Sequence, residues 1–311
     1  MQEKVMIGID GGGTKTEFVL FSEKGKILNR ILLGSSNPNA CGIRAACEIF
    51  MTGIDNLLQV DASVCGAFIG ASGIVSEQDG ERIESILQQK YPAIKIQCRT
   101  DIVNVIASAT SGDKCIAAIC GTGVIVYANE QGKLRRFGGY GYLFDPAGSG
   151  YHIGRDAICT ALKEKDAIGK KSMLTALVEE RLGGTAWDHI PDIYEKGQSY
   201  IASFASLVFE AYQSGDEVAG EILEANAQAL AYLINQAALQ CNCGQEVVLS
   251  GSIVSKSDVF AQMLRGKLND GLTIVISEKP QVYGACIMCC KLCGADMEKM
   301  SENFMEYYDS Y

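Results

Sequence analysis

Val5-Met6-Ile7-Gly8-Ile9-Asp10-Gly11-Gly12-Gly13-Thr14-Lys15-Thr16-Glu17-Phe18-Val19-Leu20 sets an apolar strand, an acidic residue, a run of glycines with flanking hydroxyls and a second apolar strand in one stretch. It reads as a β-hairpin built to grip phosphate. Three successive glycines let the backbone approach an anion and turn its N–H groups inward, which a Cβ would hinder. Thr14 and Thr16 add hydroxyls, and Lys15 adds charge. Asp10 closes the first strand, where a carboxylate can hold a hydrated Mg²⁺ facing the phosphates. A plain tight hairpin with an incidental aspartate fits the same residues, so the rest of the chain has to decide.

The chain has 311 residues, enough to bury a sizeable core and to form two domains. With 48% hydrophobic residues, 21% charged and 5 prolines it is patterned as a globular α/β protein. A formal net charge of −10 argues against nucleic acid or an anionic membrane as the main partner. An anionic nucleotide then needs a local site of backbone N–H groups and metal. Met1 runs almost directly into the first strand, with neither a signal peptide nor an apolar run of transmembrane length, so a cytoplasmic protein is the expectation.

Thirteen cysteines in such a compartment read as reduced thiols. The densest group, Cys286, Cys289, Cys290 and Cys293, falls on one helical face. Its ends are about 10 Å apart along the axis, too far for one metal ion, so it reads as a core face of small hydrophobes. The two histidines, His152 and His189, have no metal-ligand spacing.

Residues 4–34 suggest three strands, followed by helix 41–59, strand 64–69, helix 77–90, strand 94–99 and a helix opening at Asp101. A second series begins with strand 115–120, turns at Gly121-Thr122-Gly123 and returns through 124–128 and 134–137. A helical insertion over 149–240 precedes strand 246–249, helix 256–269, strand 273–276 and helix 281–293. The order βββαβαβα occurs twice, with a phosphate-type turn in the same place in each half. A nucleotide between the two halves would touch both turns. The last stretch, 296–311, is helical and rich in Met, Phe and Tyr, and is expected to pack back on the first half.

Over nearly its whole length the chain resembles the N-acetylglucosamine kinase branch of the BadF/BadG/BcrA/BcrD-type ATPases, within the actin, sugar kinase and Hsp70 superfamily. The matching stretches run from Gly8-Ile9-Asp10-Gly11-Gly12-Gly13-Thr14-Lys15-Thr16 through Gly34-Ser35-Ser36-Asn37-Pro38-Asn39, Thr100-Asp101, Gly121-Thr122-Gly123 and Gly138-Gly139-Tyr140-Gly141-Tyr142-Leu143. Gly148-Ser149-Gly150-Tyr151, Leu249-Ser250-Gly251-Ser252 and Pro280-Gln281-Val282-Tyr283-Gly284-Ala285 complete them in order. The resemblance implies two ribonuclease H-like (actin-like ATPase) domains with a nucleotide cleft between them. The first would span 1–112 with the C-terminal helix 295–311 added, and the second 113–294.

It further implies an ATP-dependent kinase acting on N-acetylglucosamine or a related amino sugar, with ATP and Mg²⁺ as cofactors and a homodimer as the assembly. Gly11, Gly12, Gly13, Thr14, Lys15, Thr16, Gly121, Thr122 and Gly123 inherit the phosphates, Gly251 and Gly284 the approach to adenosine, and Asp10 the water-bridged Mg²⁺. Asp101 inherits the general base, against a plain reading as a helix N-cap. Asn37, Ser72, Gly73, Asp101, Gly139, Tyr140 and Asp145 fall on the sugar.

The likeness fails in two places, one of them Val124, which replaces the family's usual serine after Gly121-Thr122-Gly123. Where the family has Gly-Asp-Glu-Gly-Ser, this chain has Asp145-Pro146-Ala147-Gly148-Ser149. The acidic pair is lost, and Asp145 stands one position early as a substitute. These departures touch the sugar side and leave the nucleotide residues and Asp101 intact. Two other readings stay open. One is an activator of 2-hydroxyacyl-CoA dehydratase or benzoyl-CoA reductase type, with an iron–sulfur cluster held by a compact Cys-Ala-Ala-Gly-Thr-Gly. Here Cys115 stands three residues too far from Gly121 for that motif. The other is a non-catalytic ATP- or sugar-binding relative. No Walker-type G-x-x-x-x-G-K-[ST] sequence occurs, and Phe144-Asp145-Pro146 ahead of Gly148-Ser149-Gly150 is no buried strand of the dinucleotide-binding kind.

Overall fold

The opening apolar runs form β1 (Val5–Gly11), β2 (Lys15–Ser22) and β3 (Ile27–Gly34), joined as two antiparallel hairpins. The computed structural model describes residues 3–310 apart from 62, 111 and 256. Residues 1, 2 and 311 of the expected domain ranges likewise lie outside the described residues. Where the pattern suggests one helix over 41–59 there are two, α1 (Pro38–Cys41) and α2 (Ile43–Leu58). Gly42 separates them at φ 84°, a conformation that suits glycine. Then come β4 (Val64–Ala71), α3 (Glu77–Lys90), β5 (Lys95–Thr100) and α4 (Ile102–Ala109). β4 runs parallel to β1 and β5 parallel to β4, so the sheet order is β3-β2-β1-β4-β5.

The second series repeats this plan. β6 (Lys114–Cys120), β7 (Val124–Glu130) and β8 (Lys133–Phe137) form antiparallel hairpins. The insertion follows as α5 (Gly150–Lys165), α6 (Met173–Leu182), α7 (Ile190–Ser203), α8 (Ala205–Gln213) and α9 (Glu217–Gln240). β9 (Glu246–Ser250), α10 (Ser252–Ser255), α11 (Asp258–Arg265) and β10 (Thr273–Ile276) close the unit. β9 runs parallel to β6 and β10 to β9, giving β8-β7-β6-β9-β10. Read outward from its own first hairpin, each sheet has the same order and the same strand senses, so both carry the ribonuclease H-like plan.

The two compact units are 1–111 with 277–311, and 112–276. The first buries one core between its sheet and α2–α3, including Ile7, Ile9, Phe18, Phe50 and Ile69, and another on the opposite face, including Met6, Phe68 and Phe304. That second face belongs to α12 (Gln281–Cys293) and α13 (Met297–Tyr308). The sequence pattern carries helix 281–293 with the second series, but its packing surface is the first sheet. A Cβ at Gly8 would strike Cys286, so α12 lies directly on the β1 backbone. Cys286, Cys289 and Cys290 are fully buried there, which makes the four-cysteine stripe a core face. Tyr308 on α13 donates to Glu17 (2.7 Å), which also takes Arg30 Nε (2.6 Å). The second unit builds its core from β6, β7 and β9 against α5, α8 and α9, with Phe204 and Phe260 fully buried.

Among the described residues no helix is long and apolar enough to cross a membrane, and no three His, Cys, Asp or Glu side chains converge as a metal site.

Candidate active site

Three parallel strands of the first unit end side by side. The register pairs Asp10 with Gly70 and Gly11 with Ala71, while Ala71 also pairs with Thr100. Ser72 N donates to Gly11 O (2.7 Å) and Asp101 N to Ala71 O (3.2 Å), so the chain ends are tied to one another past the last ladder bonds. Asp10, Ser72, Gly73 and Asp101 are thereby brought to one edge, the carboxyl ends of β1, β4 and β5. Open α/β sheets present ligand sites at such an edge.

The glycine turn leaves β1 here. Gly12 N donates to Lys15 O (2.8 Å), closing the hairpin, and Gly13, Thr14 and Lys15 are exposed at its tip. Gly11 is a glycine for space, since a Cβ would meet Ser36 Oγ at 2.6 Å and Ala71 Cβ at 2.8 Å. Thr16 corrects a sequence expectation. Its hydroxyl is fully buried, donates to Gly34 O (2.8 Å) and lies 2.8 Å from Ser36 Oγ. It fastens the end of β3 and does not face the turn. Ser35 Oγ donates to Gly12 O (3.2 Å) and accepts from Asn37 N (3.3 Å), bringing Asn37 to the same edge. Asn37 Oδ1 caps α1 through Asn39 N (2.9 Å), and a Cβ at Gly73 would collide with it.

Asp101 stands at the N-cap position of α4 but has helical dihedrals, φ −55° and ψ −25°, and makes no side-chain capping bond. The plain N-cap reading therefore fails for this carboxylate. Thr100 Oγ1 donates to it (3.2 Å), and burial pushes it up to about 6 against the hydrogen bonds of Thr100 and the neighbouring amides. Burial pushes Asp10 up further, to about 7, helped by the charges of Asp101 and Glu17 and opposed by Asn104 and Lys15. For both carboxylates, then, loss of solvent disfavours the charged form.

Asn104 escaped the sequence reading. It is fully buried, and its Nδ2 donates to Asp10 Oδ1 (2.8 Å) while lying near Ile9 O (3.4 Å) and Gly70 O (3.3 Å). An amide inside the apolar run Ile102-Val103-Asn104-Val105-Ile106 was the available signal. Asn104 Oδ1 and Ser72 Oγ are buried without a hydrogen-bond partner among the described residues. Such orphans at a strand-end edge mark places where a ligand or water completes the set.

The matching turn of the second unit is closed by Gly121 N donating to Gly123 O (2.9 Å). The start of α5 docks on it, with Gly150 N donating to Gly121 O (2.7 Å) and Tyr151 N to Thr122 O (3.1 Å). Gly251 follows β9 at φ 104°, where a Cβ would strike the backbone of Cys120. Beside the turn lies a cavity of about 330 Å³, bordered by Gly121, Thr122, Gly150, Ser203, Phe209 and Ser252. Gly284 is not part of this surface. It sits on the buried face of α12, where a Cβ would strike the Asn104 carbonyl, so close packing of α12 on α4 accounts for it.

Asp145 is also corrected. Its carboxylate is buried and accepts from Tyr140 N (3.1 Å) and Gly141 N (3.0 Å). Its own carbonyl accepts from His152 Nε2 (3.0 Å), while His152 Nδ1 pairs with the Ser149 hydroxyl (2.7 Å). Burial holds the His152 imidazole down, so it is a neutral bridge. Asp145 clamps the glycine loop in place of gripping a ligand, and Pro146 fixes the backbone beside it. Gly139 needs its φ of 74° and its missing Cβ to clear Ile125, and Tyr140 is left 61% exposed.

The profile of the BadF/BadG/BcrA/BcrD ATPase family matches residues 7–286, and the chain belongs to that family. It is 31% identical to an N-acetyl-D-glucosamine kinase of Dictyostelium discoideum, over 86% of this chain and 91% of the relative. It is also 31% identical to an N-acetylmuramic acid/N-acetylglucosamine kinase of Clostridium acetobutylicum, over 93% of this chain and 99% of the relative. A crystal structure from Chromobacterium violaceum, whose own assignment as an N-acetylglucosamine kinase is provisional, superposes with a TM-score of 0.72. It covers 92% of this chain and 99% of that one at 24% identity, a likeness of fold.

Proposed function

We propose that the protein is an ATP-dependent kinase that phosphorylates a hydroxyl of N-acetylglucosamine or of a close relative such as N-acetylmuramic acid. The observation that carries this reading is the strand-end edge. It holds two partly buried carboxylates, Asp10 and Asp101, beside an exposed glycine turn and an unpartnered serine hydroxyl, Ser72. Phosphoryl transfer asks little more of a protein than positioning, charge neutralisation and a base. The names of the two 31%-identical kinases support the same class.

In this reading Asp101 accepts the proton of the attacking sugar hydroxyl. A carboxylate raised to about 6 is still mostly ionised at neutral pH and is a stronger base than a solvated one. Ser72, Gly73 and Asn37 meet the sugar hydroxyls. The amides of Gly13 and Thr14, with Lys15, face phosphate oxygens, which Gly11 and Gly12 let come close to the turn, and the Gly121-Thr122-Gly123 turn of the second unit is of the same phosphate-binding kind. The cavity beside Gly121 has room for the nucleoside, with Ser252, next to Gly251 in the chain, among the residues that border it. The oxygen-only donor set of Asp10, with Asn104 behind it, suits Mg²⁺, which keeps most of its waters and neutralises phosphate charge.

The iron–sulfur alternative loses ground on geometry. Cys115 and Cys120 are fully buried, their thiols pushed up to about 11 and about 12 by burial, and Cys120 Sγ donates to Gly148 O (2.9 Å).

The test is ADP release with Mg-ATP against N-acetylglucosamine, N-acetylmuramic acid, glucosamine, N-acetylmannosamine and glucose. Mass analysis of the sugar product identifies what was phosphorylated. Turnover on an N-acetylated amino sugar is expected. ATP hydrolysis that no sugar alters would overturn the reading.

A further inference from the structure

Cys65, the second residue of β4, stands at an irregularity. The parallel ladder pairs Val5 with Val64 and then Met6 with Gly66, so Cys65 is the extra residue of a β-bulge. Bulges re-aim side chains, and here Cys65 packs against the cluster of Met6, Phe68 and Cys289 on the α12 side of the sheet. Gly66 completes the arrangement. A Cβ there would collide with Cys293 Sγ and would lie 3.6 Å from Cys289 Sγ, so the Cys293 sulfur rests on the backbone next to Cys65.

The Cys289 and Cys65 thiols are the sulfur neighbours that act on Cys293. Lys4 Nζ donates to the carbonyls of Cys293 and Gly294, 2.8 Å each, covering the negative end of α12. Lys95 stands opposite Gly66 on β5. Cys289 and Cys65, with Lys95 and Lys4, hold Cys293 down to about 7 against its burial. Burial and the neighbouring Cys293 push Cys65 up to about 11. One sulfur with a lowered value thus stands beside a thiol with a raised one, and both residues are partly exposed.

We propose that Cys65 and Cys293 form an oxidisable dithiol that closes to a disulfide on reaction with a peroxide. The Cys293 thiolate attacks one peroxide oxygen, the O–O bond breaks, and Cys293 sulfenic acid and hydroxide form. Cys65 then attacks the sulfenic sulfur, the S–S bond forms, and the S–O bond breaks. Its hydroxide leaves with the Cys65 proton as water. The two thiols lose two electrons together and hydrogen peroxide is reduced to two waters. Cys289, fully buried with its thiol pushed well above the usual range by burial, stays a neutral thiol.

The experiment treats the reduced full chain with hydrogen peroxide, blocks remaining thiols and maps peptides without reduction. The expected result is one cross-linked peptide pair containing Cys65 and Cys293, reopened by dithiothreitol. Cys65→Ser should leave a dimedone-reactive sulfenic acid at Cys293, Cys289→Ser should still form the link, and Cys41→Ser should change nothing. Full alkylation of all thirteen cysteines after treatment would overturn the proposal. So would a Cys289–Cys293 link, or a Cys65→Ser protein that oxidises like the parent.

Discussion

Asp101 and Asp10 carry opposite obligations to folding and to chemistry. Each has an ordinary value of 3.8 and is raised in the folded chain, to about 6 and about 7. A raised carboxyl contributes stability that is complete below 3.8 and is lost as pH rises through the folded value. Both groups therefore destabilise the ligand-free protein at neutral pH. Asp101→Asn should raise the melting temperature at pH 8 by a few degrees, on the order of 1 kcal/mol or more. The same variant should lower kcat by about 10²–10⁴-fold. A thermal scan beside a turnover assay checks both, and a variant that melts lower would contradict the burial argument. Conversely kcat/KM of the parent should fall with decreasing pH below about 6, as Asp101 takes up its proton. A profile flat to pH 5 would remove Asp101 as the base. Asn104→Ala leaves Asp10 without its donor, so the concentration of Mg²⁺ needed for half-maximal turnover should rise while the sugar KM holds. A metal titration of the two proteins decides it.

At the scale of elements, most of the plan is legible because short strands, glycine turns and helix periods each have local causes. The doubled order βββαβαβα needed only alternation and punctuation. What stayed hidden depends on partners distant in sequence. Nothing within 281–293 tells that its small-residue face seats on β1 at Gly8 and on α4 at Asn104. Gly284 thus reads as a ligand glycine until the packing is seen. Gly284→Ala should cost about 1–3 kcal/mol through overpacking, lowering the melting temperature and loosening the helix that carries Asn104. A variant as stable as the parent would contradict that contact. Thr16 and Asp145 were legible as functional residue types but not as fasteners, because their acceptors and donors, Gly34, Ser36, Tyr140 and Gly141, are fixed only by the folded loops. Asp101 was legible in place, and its failure to cap α4 was not.

For the whole molecule, two sheets of one topology each present a glycine turn after the first strand, and the family profile spans both. Mg-ATP at about 100 times its Kd should add about 2.7 kcal/mol, seen as a rise in melting temperature that a chelator cancels. The central claim is that Asp101 is the base of a sugar kinase, and single-turnover transfer of the γ-phosphoryl group from Mg-ATP to N-acetylglucosamine tests it most directly. Parent and Asp101→Asn proteins would be compared at saturating nucleotide, with nucleotide affinity measured on the same samples. The account predicts phosphorylated sugar from the parent, at least a hundredfold slower transfer by the variant, and equal affinity for Mg-ATP. Transfer at near-parental rate by Asp101→Asn, or none by the parent with nucleotide bound, would contradict it.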